Sequence, residues 1–235
     1  MPRILVDVDT QVDFMSPDGA LYVPAPRATS TNLRERLTRA SERGSGYVAI
    51  IGSVDSHAYD AWEFVTNGGP FPPHCVKGRP GWCRTFYELP SRQRFVPMGA
   101  PEDGRVSMHV GEREEGRGAR VLDAEALVVE ALEGVGLYFE KEVYSLFSNR
   151  LADPVLAALV SKLGGPHAVM FDVIGYCAGG YCVDAAVEGL LQRGFQATVL
   201  AGSCAAIGGD DGMAKSRARL VALGAQWEGA APDDA

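Results

Sequence analysis

The sequence predicts a doubly wound α/β fold, with a mostly parallel sheet of about six strands and helices on both faces. Short apolar runs without clean polar alternation are typical of strands that are buried on both faces of a parallel sheet. Amphipathic segments lie between these runs, so that strand and helix alternate about five times. The apolar runs cover residues 4–8, 47–54, 136–139, 168–174 and 196–200, and the amphipathic segments cover residues 32–43, 123–133, 153–163, 183–193 and 212–223.

One stretch, residues 68–120, interrupts the alternation. It is dense in glycine and proline (GGPFPP, GRPG, GAPEDG) and ends in the charged run GEREEGRGAR, which predicts a long loop excursion without a core of its own. The tail from residue 224 is small and acidic, and we expect it to fray. Residues 1–235 are therefore predicted to form a single domain.

The composition is that of an ordinary globular chain and disfavours several classes of partner. Of 235 residues, 46% are hydrophobic and 22% are charged, with 22 Lys+Arg against 30 Asp+Glu for a net charge of −8. This charge, without any Lys/Arg block, argues against binding to nucleic acid or to an anionic membrane. All apolar runs are shorter than the roughly 20 residues of a membrane-spanning helix, so a soluble protein is expected.

The chain has five cysteines, an odd number, and its N-terminus leads directly into an apolar run without a signal peptide. Both observations favour a cytoplasmic protein with free thiols. Cys75, Cys83 and Cys204 are expected to be inert core residues. A pairing of Cys177 with Cys182, or a metal shared between them, is the less favoured interpretation because their spacing is not that of a CxxC pair.

Polar residues directly after the apolar runs are candidates for chemistry, because ligands of doubly wound sheets bind beyond the carboxyl ends of the strands. Asp9 follows the first run, where it is either a catalytic base or the carboxylate of an Asx turn. Asp55 and His57 follow the second run at alternate positions, which point the same way on an extended chain. Glu63 and His74 come next along the chain.

Two imidazoles and two carboxylates suit one divalent transition metal ion, zinc in the first place and otherwise manganese or iron. The carboxylates of Asp55 and Glu63 would balance the charge of a dication. The alternative is that His57 and His74 are ordinary loop residues. A further histidine, His109, lies outside this context.

Two more candidates come from later runs. Lys141 follows the run at 136–139 after one intervening residue, Glu140, and is either a catalytic ammonium group or a surface lysine with a half-buried stem. Cys182 opens the helix predicted at 183–193, where backbone N–H groups and the helix dipole favour a thiolate. A nucleophile is therefore expected at Cys182, with an inert buried thiol as the alternative.

Five motifs in this order resemble the isochorismatase-like cysteine hydrolases and, within them, the nicotinamidases. DTQVDF at 9–14 is similar to the family's opening Asp-x-Gln-x-Asp-Phe. DSH at 55–57 and FPPHCVKGRPG at 71–81 resemble its metal-binding stretch. FEK at 139–141 and YCVDAAVEGLL at 181–191 resemble its lysine and cysteine motifs.

The resemblance extends from residue 3 to about 207 and implies a catalytic triad of Asp9, Lys141 and Cys182. It also implies a metal ion bound by Asp55, His57, Glu63 and His74. The backbone N–H groups of Ala178 and Cys182 would form an oxyanion hole, with a cis peptide bond before Ala178. Phe14 and Phe71 would be the stacking faces for the substrate ring.

Three positions depart from the family's pattern. Glu63 stands where many nicotinamidases have a third histidine, Gly179-Gly180 where Thr-Asp is usual, and Phe71 where tryptophan is frequent. These departures leave the metal identity, the turn beneath the nucleophile and the aromatic wall of the pocket open.

The activity that the resemblance implies is metal-dependent hydrolysis of a small carboxamide, nicotinamide in the first place, through a thioester. Three alternatives stay open: an amidohydrolase for another small amide of the maleamate or carbamoyl type, a metalloenzyme in which bound water attacks, and a catalytically inactive binding or redox-sensing protein. True isochorismatases lack the nucleophilic cysteine, which disfavours that activity. A homo-oligomer is left open.

Overall fold

A seven-stranded sheet in which every pairing is parallel organises the protein. The computed structural model describes residues 1–98, 106–108 and 120–229. Two further short strands in this part of the chain form an antiparallel pair. The strands are β1 (Arg3–Val8), β2 (Tyr47–Asp55), β3 (Gln93–Val96), β4 (Val106–Met108), β5 (Arg120–Leu122), β6 (Gly136–Lys141), β7 (Met170–Ala178), β8 (Gln196–Ala206) and β9 (Gln226–Glu228).

Helices connect the strands and cover the sheet. Helix α2 packs on β2 and β8, and α5 packs on β1, β7 and β8 from the opposite face. The α-helices of the described ranges are α1 (Val12–Met15), α2 (Arg27–Ser41), α3 (Ala124–Leu132), α4 (Ala152–Lys162), α5 (Cys182–Gln192) and α6 (Gly209–Ala222). Short 3₁₀ helices occupy Val65–Asn67, Pro80–Trp82 and Leu146–Ser148. Within the described ranges, no helix is both long and apolar enough to cross a membrane.

The predicted α/β fold class is confirmed, although the sheet has seven strands where about six were expected. The two strands that the sequence patterns miss are β3 and β9, which form the two edges of the sheet. Strand β3 (QRFV) lies inside the predicted loop excursion, and β9 (QWE) lies in the tail that was expected to fray. Edge strands need no continuous apolar run because one side stays open to water, so hydrophobic patterning does not detect them.

The strand order β3-β6-β2-β1-β7-β8-β9 places the start of the chain at the centre of the sheet. From β1 the chain builds outward through β2 on one side, and it later returns to build outward through β7 on the other. The order therefore reverses between β1 and β7. A crevice opens at such a point beyond the carboxyl ends of the strands, and ligands of doubly wound sheets bind there.

Several sequence predictions fall partly or wholly outside the described residues. Of the excursion at 68–120, residues 99–105 and 109–119, which include His109, lie outside them, as do residues 230–235 of the tail. The prediction that residues 1–235 form one domain stays a prediction.

Candidate active site

A narrow cavity of about 20 Å³ opens at the carboxyl edge of the sheet. It lies where the order of the strands reverses, and segments from distant parts of the chain meet there. The cavity is lined by Phe14, Leu21, Asp55, Glu63, Phe71, His74, Tyr144, Cys177, Tyr181, Cys182 and Ile207.

The ammonium group of Lys141 links three candidate residues beneath this cavity. Lys141 Nζ lies 2.8 Å from Asp9 Oδ2 and 3.5 Å from Cys182 Sγ. The same Nζ donates a hydrogen bond to Asp55 Oδ1 at 3.0 Å. The side chains of Lys141 and Asp9 are fully buried. The structure thus brings together the three residues that the sequence proposed as a triad.

Each of the three residues stands at the end of a secondary-structure element. Asp9 directly follows β1 in a left-handed backbone conformation with a φ of 49°, which few non-glycine residues adopt. Ser53 Oγ holds it by donating to Asp9 Oδ1 at 2.7 Å. Lys141 is the last residue of β6, and Cys182 is the first residue of α5.

Burial and neighbouring charges have opposing effects on the pKa values of Asp9, Lys141 and Cys182. Desolvation raises the pKa of Asp9 against the opposing charge of Lys141. Burial lowers the pKa of Lys141, but the charges of Asp55 and Asp9 outweigh it and leave the pKa well above its ordinary value. Lys141 is therefore a charged ammonium group at neutral pH.

The thiol of Cys182 does not have the lowered pKa that the sequence suggested. A hydrogen bond to the Cys177 thiol and burial raise the pKa of Cys182, and the charge of Lys141 opposes this only in part. Cys182 therefore rests as a protonated thiol. Its ionisation requires a base in the site.

Beside the triad, two histidines and two carboxylates converge on one point. His57 Nε2 lies 2.9 Å from Asp55 Oδ2 and 2.8 Å from Glu63 Oε1. His74 Nε2 lies 3.4 Å and 3.2 Å from the same two oxygens. One ligand atom of each residue lies within 4.8 Å of the others, and all four residues are buried.

These four side chains fit a divalent cation in both spacing and charge. Nitrogen and oxygen atoms separated by 2.8–3.4 Å have the spacing of neighbouring ligands bound at about 2.0–2.1 Å to one metal ion. His74 Nδ1 contacts the carbonyl oxygen of Pro72 at 2.8 Å, so its Nε2 is directed at the cluster, and a backbone partner of this kind fixes the tautomer of a ligating histidine.

The electrostatics of the cluster agree with this fit. Burial lowers the pKa of each imidazole, but hydrogen bonds to Asp55 and Glu63 outweigh it and raise the pKa of His57 to about 9 and that of His74 to about 10. Two buried carboxylates thus hold two protons on the neighbouring rings. A dication of the same total charge would take the place of these protons.

Asp55 joins the two halves of the site. Its Oδ1 accepts from Lys141 and its Oδ2 faces both histidines. The Gln11 side chain fixes this position, because its Nε2 donates to the carbonyl oxygen of Asp55 at 2.9 Å and its Oε1 accepts from the Asp55 N–H at 2.7 Å. Gln11 Nε2 also donates to the carbonyl oxygen of Trp82.

Aromatic rings form the wall of the cavity. The rings of Phe14 and Phe71 lie 5.5 and 6.0 Å from that of His74. Tyr181 continues the wall at 6.1 Å from Phe71, and Tyr144 lies 5.4 Å from Tyr181. The proposed stacking faces are therefore joined by two tyrosines that the sequence analysis did not assign.

The turn before the nucleophile differs in one respect from what the resemblance implies. Within the described ranges the cis peptide is Leu89–Pro90, so the expected cis peptide before Ala178 is absent. Instead, Cys177 has a φ of 64°, and Gly179 and Gly180 have φ of 93° and 99°. The turn is fastened by a hydrogen bond of 2.7 Å from the Gly179 N–H to Ser216 Oγ.

Comparison with known proteins gives a consistent result at the level of the fold. No protein-family model and no curated protein matches the sequence. PnC1 from L. infantum, solved in complex with nicotinate, is 22% identical, with coverage of 96% of this chain and 91% of that chain and a TM-score of 0.63. A pyrazinamidase of Pyrococcus horikoshii, solved in complex with zinc, is 21% identical, with coverage of 97% and 98% and a TM-score of 0.63.

A third structure carries the name of the wider family. An isochorismatase-like hydrolase from Alkaliphilus metalliredigens is 13% identical, with coverage of 97% of this chain and 95% of that chain and a TM-score of 0.58. The chain has the isochorismatase-like fold.

In this isochorismatase-like fold the remaining cysteines differ in burial. Cys75 and Cys204 are buried, as expected for inert thiols, whereas Cys83 is exposed, so its prediction as a core residue is wrong. Cys83 lies directly after the 3₁₀ helix Pro80–Trp82, and its side chain is not covered by the sheet. Cys177 is buried and lines the cavity.

The sequence analysis missed Ser53 and the positioning role of Gln11. Ser53 is a polar residue in the otherwise apolar centre of β2 (YVAIIGSVD), and a buried hydroxyl requires a partner. Gln11 lies inside the DTQVDF motif, two residues after Asp9, which was a candidate base. Both residues carried a detectable signal, but their partners became visible only in the fold.

Proposed function

We propose that this protein is a metal-dependent cysteine amidohydrolase that hydrolyses nicotinamide to nicotinic acid and ammonia through a thioester. The observation that carries the proposal is the position of Lys141 Nζ, 3.5 Å from Cys182 Sγ and 2.8 Å from Asp9 Oδ2, at the floor of an aromatic cavity. Nucleophile, base and cation are the groups that covalent hydrolysis of an unreactive amide requires.

Asp9 is the base in this mechanism. Its raised pKa makes it a stronger proton acceptor than an ordinary carboxylate, which suits a base that works near neutral pH. Asp9 removes the proton of the Cys182 thiol as substrate binds, and Lys141 stabilises the thiolate by its charge. The sulfur then attacks the carboxamide carbon.

The tetrahedral intermediate needs donors for its oxyanion. The backbone N–H groups of Ala178 and Cys182 are proposed for this role, and Cys182 N–H belongs to the first turn of α5, whose N–H groups have no partner within the helix. Loss of one such donor typically costs about 10²–10³ in rate. Asp9 next gives its proton to the departing ammonia, and it then activates the water that hydrolyses the thioester.

Asp55, His57, Glu63 and His74 would hold the metal ion, with zinc first and manganese or iron as alternatives. A bound ion would supply a Lewis-acidic contact for the ring nitrogen of a pyridine carboxamide. Phe14 and Phe71 would stack against the ring and hold the carboxamide over the sulfur.

The charge of the cavity favours nicotinamide over a maleamate-type substrate. Among the described residues that line it there is no arginine or lysine, while Asp55 and Glu63 are acidic. Lys141 lies beneath them and is already paired with two carboxylates. A second carboxylate on the substrate would therefore find no arginine or lysine to pair with in the described lining, whereas a neutral aromatic ring finds apolar contacts.

An ammonia-release assay tests the proposal. We expect turnover of nicotinamide and pyrazinamide, slower turnover of benzamide, which lacks the ring nitrogen, and little turnover of maleamate. A chelator should lower the rates for nicotinamide and pyrazinamide. Equal rates for nicotinamide and benzamide would remove the metal–pyridine contact, and absence of turnover with every amide would favour a binding protein.

Substitution of the nucleophile separates covalent catalysis from attack by metal-bound water. Cys182→Ala should lower kcat by at least about 10³-fold, because it removes the sulfur that forms the thioester. Cys204→Ala is the matched control: it removes a buried thiol from β8 whose sulfur lies 3.7 Å from the Val173 carbonyl oxygen, and kcat should be unchanged. Full activity of Cys182→Ala would contradict the mechanism.

A further inference from the structure

A second thiol lies beside the proposed nucleophile, and the hydrolytic mechanism does not use it. Cys177 is 2% exposed, and its side chain lines the same cavity as that of Cys182. The Cys177 thiol is also the first cause of the raised pKa of Cys182. The two cysteines are therefore neighbours at one cavity.

The backbone brings the two sulfurs together. Cys177 adopts a left-handed conformation near the end of β7, which places a non-glycine residue in a sparsely populated region. Gly179 and Gly180 follow with positive φ and turn the chain into α5. Across this turn the cysteines at 177 and 182 face one cavity, and the hydrogen bond from Gly179 to Ser216 holds the turn in place.

We propose that Cys177 is the resolving thiol of Cys182, so that hydrogen peroxide converts the pair to a disulfide that blocks the nucleophile reversibly. The Cys182 sulfur attacks one oxygen of peroxide, the O–O bond breaks, and a sulfenic acid forms while the departing hydroxide takes up the thiol proton as water. The Cys177 sulfur then attacks the sulfenic sulfur, the S–O bond breaks, and a second water leaves with the Cys177 proton.

The site favours this reaction with a small oxidant. Cys182 rests as a thiol, so Asp9 accepts its proton as in the proposed hydrolysis, and the Lys141 ammonium group, 3.5 Å from Cys182 Sγ, stabilises the thiolate that attacks peroxide. Peroxide is small enough to reach this sulfur through the cavity that both cysteines line. Because the second thiol lines the same cavity, it captures the sulfenic acid before further oxidation.

The other thiols offer no equivalent partner for Cys182. Cys204 is buried in β8, where its sulfur is directed to the Val173 carbonyl oxygen. Cys83 is exposed and directed to the carbonyl oxygen of Arg79. Cys75 is buried and does not line the cavity that Cys177 and Cys182 share. The disulfide is therefore expected between residues 177 and 182 alone.

Mass spectrometry of the full-length protein tests the proposal directly. Protein treated with a slight excess of hydrogen peroxide and then alkylated under denaturing conditions should show a mass lower by two hydrogens, with two thiols lost to alkylation. Peptide mapping should locate the bond between Cys177 and Cys182, and dithiothreitol should restore both thiols.

Two variants make the test specific. In Cys177→Ala the same treatment should convert Cys182 to the sulfinic acid, a gain of two oxygens that dithiothreitol does not reverse. Cys204→Ala should behave as the unmodified sequence does. A bond to another cysteine, or equal overoxidation of Cys182 with and without Cys177, would overturn the proposal.

Only the consequence for turnover rests on the proposed function. Loss of amide hydrolysis on oxidation, and its recovery with dithiothreitol, presuppose that Cys182 is the nucleophile. The mass and the thiol count do not depend on any substrate. A disulfide without hydrolytic activity would therefore refute the hydrolase alone, and hydrolysis without a disulfide would refute the resolving thiol alone.

Discussion

Two buried ion pairs lie close together along the first strand and its exit, and their surroundings differ. Asp7, in β1, pairs with Arg84 at 2.6 Å, and both side chains are almost completely buried. Asp9, directly after β1, pairs with Lys141 at 2.8 Å and is equally buried. Distance and burial alone do not distinguish the two pairs.

The partners of the cations distinguish them. Arg84 has one carboxylate partner, Asp7, besides the carbonyl of Leu89 and the amide of Gln93. The carboxylate of Asp7 is in turn held by the hydroxyl of Tyr138, whose ring lies 3.8 Å from the Arg84 guanidinium carbon. This pair joins β1, β6 and the segment around residue 84, and neither Asp7 nor Arg84 lines the cavity.

Lys141 instead has two carboxylate partners and a thiol, and one of its carboxylates, Asp55, also faces the two histidines. The pair lies beneath a cavity, so a ligand can reach its neighbours. A buried ion pair that lies away from any ligand cavity supports the fold, whereas one whose cation also contacts a thiol beneath a cavity is placed for chemistry. The contrast predicts separate losses of stability and of activity.

The largest expected effect is that of Asp9→Asn on hydrolysis. The amide cannot accept the Cys182 proton, so kcat for nicotinamide should fall by about 10²–10⁴-fold. The fold should persist, because Asp55 still pairs with Lys141. Steady-state kinetics and circular dichroism check both statements, and an active Asp9→Asn variant would remove Asp9 from the mechanism.

Asp7→Asn should act in the opposite way. It leaves the Arg84 guanidinium buried without its carboxylate, and breaking a buried pair from one side typically costs about 3–5 kcal/mol of unfolding free energy. Denaturant unfolding measures this loss, and kcat per folded molecule should stay near that of the unmodified protein. The double variant with Arg84→Met should lose less than the sum of the single losses, because the pair is coupled.

Equal losses of activity in Asp7→Asn and Asp9→Asn, after correction for the folded fraction, would contradict the assignment of stability to one ion pair and activity to the other. Unfolding of Asp9→Asn as strong as that of Asp7→Asn would contradict it as well.

The smallest effect is expected at an exposed pair, which extends the comparison to the surface. Asp153 accepts from Arg193 Nη2 at 2.8 Å, with side chains that are 54% and 28% exposed. The hydrogen bond from Arg193 lowers the pKa of Asp153. The pair therefore stabilises the fold fully at pH values above the ordinary pKa of an aspartate. This stabilisation is lost as the pH falls through the lowered pKa of the folded protein. Asp153→Asn should cost less than about 1 kcal/mol at neutral pH.

Thermal unfolding at neutral and acidic pH checks this sign. The difference between Asp153→Asn and the unmodified protein should shrink as the pH is lowered. A difference that grows at acidic pH would contradict the assigned cause.

Much of the fold follows from local patterns in the sequence. The central strands β1, β2, β6, β7 and β8 are continuous apolar runs because both of their faces are covered, and this requirement can be recognised in any isolated segment. The edge strands β3 and β9 carry polar residues and short lengths, so no local pattern indicates them. Their pairing with β6 and β8 depends on surfaces that exist only after the centre has formed.

The residues of the site can also be divided into those that the sequence indicated and those that only the fold revealed. Asp9, Asp55, Lys141 and Cys182 could be selected as candidates because each stands directly at a strand end or a helix start, where a parallel sheet exposes side chains. Their individual chemistry was recognisable from residue type. Ser53 and Gln11 were not assigned, because a hydrogen-bond partner distant in sequence leaves no periodicity in the chain. A pairing of Cys177 with Cys182 was only the less favoured interpretation, because their spacing alone does not show that they line one cavity.

The sequence by itself determined which segments must be buried and which kinds of group stand at their ends, since both are local properties of residue type and spacing. The tertiary structure decided that one ammonium group contacts two carboxylates and a thiol, that Asp55 belongs to both halves of the site, and that Cys177 and Cys182 line one cavity. These contacts depend on the order of strands in the sheet and on the backbone turn after β7. Distances between segments far apart along the chain are set only when those segments pack together.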